Sequence, residues 1–131
     1  MTRLVTSIAL LFLAGAPADA SAKAPIEGRW RNGKMEIMIS PCGRNLCGTI
    51  VKASPKQQAK AERGSGTELI GARLIKNIHS TGPNTYGASV FLADRNMNAR
   101  GTIRQVSSNQ LKVKGCLLAV ICRSATWDRV R

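Results

Sequence analysis

Aromatic and acidic residues are the scarce components of this 131-residue chain. Two Phe, two Trp and one Tyr are all its aromatics, too few for a base-stacking platform, so nucleic acid is a disfavoured partner. Seven Asp and Glu and a single histidine, His79, leave little from which to build an acid/base centre or a conventional metal site. No G-x-S-x-G nucleophile motif occurs. Gly64-Ser65-Gly66 lacks the following Lys-Ser/Thr of a phosphate loop. No cofactor motif is found, and no apolar run reaches the ~20 residues that a helix needs to span a bilayer. What is plentiful is positive charge: 20 Lys and Arg give a formal net charge of +13. An apolar fraction of 44% excludes a disordered basic tail, and the length suits one domain.

The chain opens with Met1-Thr2-Arg3, then an apolar run from Leu4 to Gly15, then Ala18-Asp19-Ala20. That order is a secretory signal peptide over residues 1–20 with a small-x-small cleavage site before Ser21. No cysteine lies there to accept a lipid. Residues 21–27 read as a linker, and 28–131 as the domain. Losing 1–20 removes Arg3 and Asp19 together, so the positive charge belongs wholly to the mature protein, which is expected in the periplasm or outside the cell.

Export permits disulfides. Cys42 and Cys47 form a C-x4-C pair, and Cys116 and Cys122 a C-x5-C pair. Local bridges within each pair would staple a turn at a strand end. Crossed pairings, or a zinc site of all four thiolates, are the rival readings. Zinc knuckles use tighter C-x2-C spacing in reducing compartments.

From Gly28 onward the apolar pattern has period two. Met35, Ile37 and Ile39 alternate with polar neighbours, as do Leu111 and Val113 with Lys112 and Lys114. This predicts strands with one wet and one buried face, at about 28–32, 34–40, 47–53, 71–79, 85–93, 98–106, 110–116 and 122–130. Asn32-Gly33, Pro41-Cys42-Gly43, Thr81 to Asn84, Asp94 to Asn96 and Ser107 to Asn109 supply the turns. The expected fold is all-β, a small antiparallel up-and-down barrel of about eight strands. Residues 54–70 break the rhythm: Lys56 to Arg63 suits a short surface helix and Gly64-Ser65-Gly66 a flexible loop, either a lid or an insertion without function.

Gly28-Arg29-Trp30, Cys42-Gly43-Arg44-Asn45-Leu46-Cys47-Gly48-Thr49-Ile50-Val51, Leu111-Lys112-Val113-Lys114-Gly115-Cys116 and Cys122 to Val130 together resemble the DUF2147 family of exported bacterial proteins. That family is a domain of unknown function with a small lipocalin-like β-barrel. The similarity runs from about residue 26 to 131. It departs at the 54–70 segment, at Tyr86-Gly87 and at Met97 to Arg100. The resemblance carries no catalytic residues. It does imply a structural closure in which Arg129 of the last strand covers the ring of Trp30 of the first, with Trp127 on the same strand face as Arg129.

The Ser107-Ser108-Asn109 turn offers a register pairing Val106 with Gln110. Ile103 then faces Val113 on the inner face, and Arg104 faces Lys112 on the outer face with Arg100 and Lys114. Like charges placed opposite each other destabilise a sheet, so Arg100, Arg104, Lys112 and Lys114 form a candidate anion patch whose plainer reading is a solvated surface. His79 reads as a loop-edge histidine. The functional expectation is an exported, non-enzymatic β-barrel module that binds a small apolar ligand of unknown identity. The alternative is a cationic surface module on anionic envelope polymers or lipid head groups.

Overall fold

Short turns at positions of positive φ set the rhythm of the chain. Gly33, Gly43, Asn84 and Asn96 all take left-handed backbone there, which glycine and asparagine tolerate better than other residues. The computed structural model describes residues 24–117 and 121–131. The expected signal peptide at 1–20 lies outside the described residues. Eight strands follow one another: β1 (Gly28–Asn32), β2 (Met35–Cys42), β3 (Asn45–Lys52), β4 (Arg73–Gly82), β5 (Thr85–Leu92), β6 (Met97–Ser107), β7 (Gln110–Leu117) and β8 (Ile121–Arg129). One helix, α1 (Pro55–Ser65), lies between β3 and β4. Each strand pairs antiparallel with the next, and β8 returns to β1 through Trp30–Arg129 and Arg31–Asp128, so the sheet is a closed up-and-down barrel.

Closure removes every free sheet edge and leaves the barrel two distinct ends. The β1–β2, β3–β4, β5–β6 and β7–β8 connections share one end, with α1 among them. The other three turns, the entry into β1 and the exit from β8 share the opposite, terminal end. Disulfides Cys42–Cys47 and Cys116–Cys122 staple the β2–β3 and β7–β8 hairpins, one at each barrel end. No cysteine is left free for a zinc site.

The inner face is a ladder of β-branched side chains. Ile37, Ile39, Ile50, Ile75, Ile78 and Ile103 are all buried. Burying each stabilises the fold by about 1.5–3 kcal/mol, and β-branching suits the pleated wall. Register shifts occur in the β2–β3, β3–β4, β4–β5 and β6–β7 pairings. Asn77, at φ 54°, sits in a bulge of β4. Near the β6–β7 turn Ser107, not Val106, pairs with Gln110, which leaves Val106 unpaired and exposed.

The outer face holds one buried acid. Glu36 is only 3% exposed and lies between two arginines. Arg29 Nε donates to Oε2 at 2.7 Å, and Arg31 donates to Oε1 through Nε at 2.9 Å and Nη2 at 2.7 Å. Donation from Arg31 lowers the Glu36 pKa, desolvation raises it, and Arg29 lowers it further, with the net shift downward. A depressed folded-state pKa gives stability that is present above the ordinary carboxylate value of 4.5 and lost as the pH falls through the folded value. Thermal midpoints of wild type and Glu36→Gln should therefore differ most near neutrality and converge in acid. A gap that stays constant across that range would exclude this linkage.

Candidate functional site

Both ends of the barrel are covered, but by different means. At the terminal end, Trp30 is wholly buried and its indole Nε1 donates to the Ile26 carbonyl at 2.9 Å. The Arg129 guanidinium lies over the ring, 4.2 Å from its centre. Its three nitrogens donate to the carbonyls of Ser108 (2.8 Å), Glu27 (2.9 Å) and Pro25 (2.7 Å). One side chain thus ties together the segment before β1, the β6–β7 turn and β8. Residues 24–27, read from sequence as the end of a linker, belong to this plug, since Ile26 is fully buried. The structure places Trp127 half-buried on a cavity wall further along the barrel.

At the other end α1 lies against the mouth. The helix is well specified locally. Ser54 is its N-cap, Ser54 and Gln57 form a reciprocal capping box, Pro55 sits in the first turn, and Gly66 at φ 66° ends it. The Gly64-Ser65-Gly66 segment, expected as a loop, is the helix end and its cap. Helix α1 is also fixed to the barrel rather than loose on the surface. Ala61 is buried in the core, Ser65 Oγ donates to the Ala93 carbonyl at 2.6 Å, and a Cβ on Gly64 would run into the backbone of Asp94. The close approach of helix and β5–β6 turn therefore depends on glycine at 64.

Between α1 and the barrel interior is a cavity of about 400 Å³. Met35, Ile37, Ile50, Ile75, Val90 and Trp127 form much of its wall, and α1 contributes Gln57, Lys60 and Ala61. Lys60 and Asp94 line the cavity and are exposed, so they stand at its entrance. Glycine at 101 leaves space for one of these wall residues, since a Cβ there would stand 2.9 Å from Val90 Cγ2. The volume exceeds the ~300 Å³ lower bound of ordinary ligand sites, and such sites are mostly apolar with few polar groups.

The remaining sequence-predicted residues fall elsewhere. His79 is exposed in β4 rather than in a turn, and its Nδ1 lies 2.6 Å from the Asn77 carbonyl. Among the described residues no group of three or more His, Cys, Asp and Glu is placed to hold a metal. Arg100, Arg104, Lys112 and Lys114 stand together on the outer face of β6 and β7, with Arg104 directly opposite Lys112. Sequence reasoning missed two features. The Ser54-Pro55-x-Gln57 box and Ala61, the buried residue of the helix, mark a helix with one buried point. The Arg29–Glu36–Arg31 triad had no signal beyond two arginines flanking Trp30.

Residues 28–129 match the profile of an uncharacterised protein family conserved in bacteria, DUF2147. No curated protein matches the chain. Among solved structures, it is similar to protein HP1028 from the human pathogen Helicobacter pylori, described as belonging to the lipocalin family. The TM-score is 0.63 at 9% identity, over 80% of this chain and 82% of that one. The likeness is one of fold: a lipocalin-like barrel.

Proposed function

The chain belongs to the DUF2147 family, and from that footing we propose that it is an exported, non-enzymatic binding module that holds a small apolar ligand in the cavity beneath α1. The observation that carries this reading is the cavity itself: about 400 Å³, walled mainly by aliphatic side chains, with polar groups confined to the helix and the rim. An eight-stranded barrel has an interior wide enough for one small ligand when its side chains leave it unfilled. Two disulfides support an oxidising compartment, periplasmic or extracellular. Among the described residues Asp94 is the one carboxylate on the cavity lining, and no histidine or thiol lines it, a lining suited to retention.

Titration with the neutral, apolar fluorophore N-phenyl-1-naphthylamine tests this reading. Saturable binding of one equivalent is expected. Ala61→Phe, which adds a ring to the cavity from its helical side, should weaken binding at least tenfold, with a lowered thermal midpoint because position 61 is buried. Non-saturable fluorescence, or full affinity in a folded Ala61→Phe variant, would refute it. Native mass spectrometry of protein taken from its host would then identify the retained ligand.

A further inference from the structure

The cavity uses the inner face of the barrel and leaves the outer face of β5–β8 without a role. On that face Arg100, Arg104, Lys112 and Lys114 are all exposed. Arg104 stands directly opposite Lys112, and Thr102, between the two arginines, stands opposite Lys114. At a rise of about 3.3–3.4 Å per residue, Arg100 and Arg104 are about 13 Å apart along β6. The four charges therefore form a stripe along the β6–β7 hairpin, not a point cluster.

The flanks of the stripe are hydroxyl-bearing. Ser89 and Thr85 lie beside Arg100 and Arg104 on β5. Ser124 and Thr126 lie beside Lys114 and Lys112 on β8. The first carboxylate met on β8 is Asp128, beyond the stripe and opposite Gln110. Among the described residues both ion pairs use Glu36, on the outer face of β2, so no carboxylate neutralises the stripe. Directly opposed like charges cost stability in a sheet, and an anionic partner offsets that cost. The large exposed apolar side chains of these strands, Met97, Val106 and Ile121, stand at strand ends and not among the stripe. A surface that inserts into a bilayer would need apolar anchors beside its cations. Cations interleaved with hydroxyls suit a hydrated, charged chain instead.

We propose that the outer face of the β6–β7 hairpin, with its flanks on β5 and β8, is a docking surface for a linear acidic polysaccharide laid along the strands. Arg100, Arg104, Lys112 and Lys114 contact its anionic groups, and the flanking Ser and Thr contact its hydroxyls. This surface is independent of the cavity, since alternate residues of each strand face opposite sides of the wall.

Heparin is the probe for the test, titrated against the full-length mature protein at several salt concentrations. Wild type should bind with a marked salt dependence, and each removed cation should lower the slope of log affinity against log salt by about one. Substituting all four positions with Ser should weaken binding more than tenfold. A control variant with Lys56, Arg63, Arg73 and Arg95 changed to Ser carries the same net charge and should bind within twofold of wild type. Arg104→Glu, which turns the Arg104–Lys112 repulsion into attraction, should raise the thermal midpoint and still weaken heparin binding severalfold. Equal loss in the two quadruple variants would reduce the effect to net charge and overturn the proposal. So would tight binding to phosphatidylglycerol vesicles without binding to heparin, or undiminished heparin affinity in Arg104→Glu.

Discussion

Trp30→Ala is expected to cost about 4 kcal/mol of folding stability, within the range seen for large aromatic side chains removed from cores. Trp30 is wholly buried, so its removal leaves a void with little freedom to collapse. Three further losses follow from the same change. The indole N–H no longer satisfies the Ile26 carbonyl, Arg129 loses the ring beneath its guanidinium, and β1 loses its inner anchor beside the β1–β8 seam. A small domain has about 5–15 kcal/mol in total, so the variant should unfold at a much lower urea concentration and be partly unfolded at 37 °C. Trp30→Phe keeps most of the packing and loses the hydrogen bond, worth about 1 kcal/mol. A Trp30→Ala midpoint within error of Trp30→Phe would show that ring volume is not what holds this end of the barrel.

Removing both disulfides is the second large effect, about 4 kcal/mol in all. Loops closed by Cys42–Cys47 and Cys116–Cys122, with sequence separations of 5 and 6, give about 2 kcal/mol each in the chain-entropy treatment. The bridges sit at opposite ends of the barrel and share no partner, so their contributions should add. Urea midpoints of the two Cys→Ala pairs and of the quadruple variant measure this directly. A quadruple variant no worse than either pair would mean that one bridge alone constrains the unfolded chain.

Much of the barrel was legible because each wall position reports its own environment. Met35, Ile37 and Ile39 alternate with Glu36 and Met38, and that alternation gives the strand and its inner face together. The expected pairing of Val106 with Gln110 fails at the turn, where Ser107 takes that place, but the bulge at Val106 restores the register beyond it, so Arg104 stands opposite Lys112 as expected. What escaped the sequence depends on positions around the barrel rather than along one strand. Trp127 lies two residues from Arg129 and shares its face, yet it lines the cavity while Arg129 covers Trp30. Strand tilt in a closed barrel shifts the height at which neighbours meet, and one strand's alternation carries no record of that shift. Glu36 obeys the alternation by facing out, but Arg29 and Arg31 from β1 bury it. The cavity likewise draws its wall from Met35 and Ile37 on β2, Ile50 on β3, Ile75 on β4, Val90 on β5 and Trp127 on β8, a convergence that no single segment displays.

The seam between β1 and β8 also dictates an order of events as the chain folds. Seven of the eight strand pairings join sequence neighbours, and all of these but β3–β4, which spans α1, can form as local hairpins. The eighth joins Trp30 to Arg129, about a hundred residues apart, and pairings that distant form late because the loop entropy is lost before contacts repay it. Until β8 is in place, β1 and β7 each present an open edge and Trp30 lacks its Arg129 cover. A nascent chain therefore passes through a stage that is competent to pair with other copies of itself. Truncation by even the last few residues, which include Arg129, should leave the molecule in that association-prone stage rather than merely shorten it.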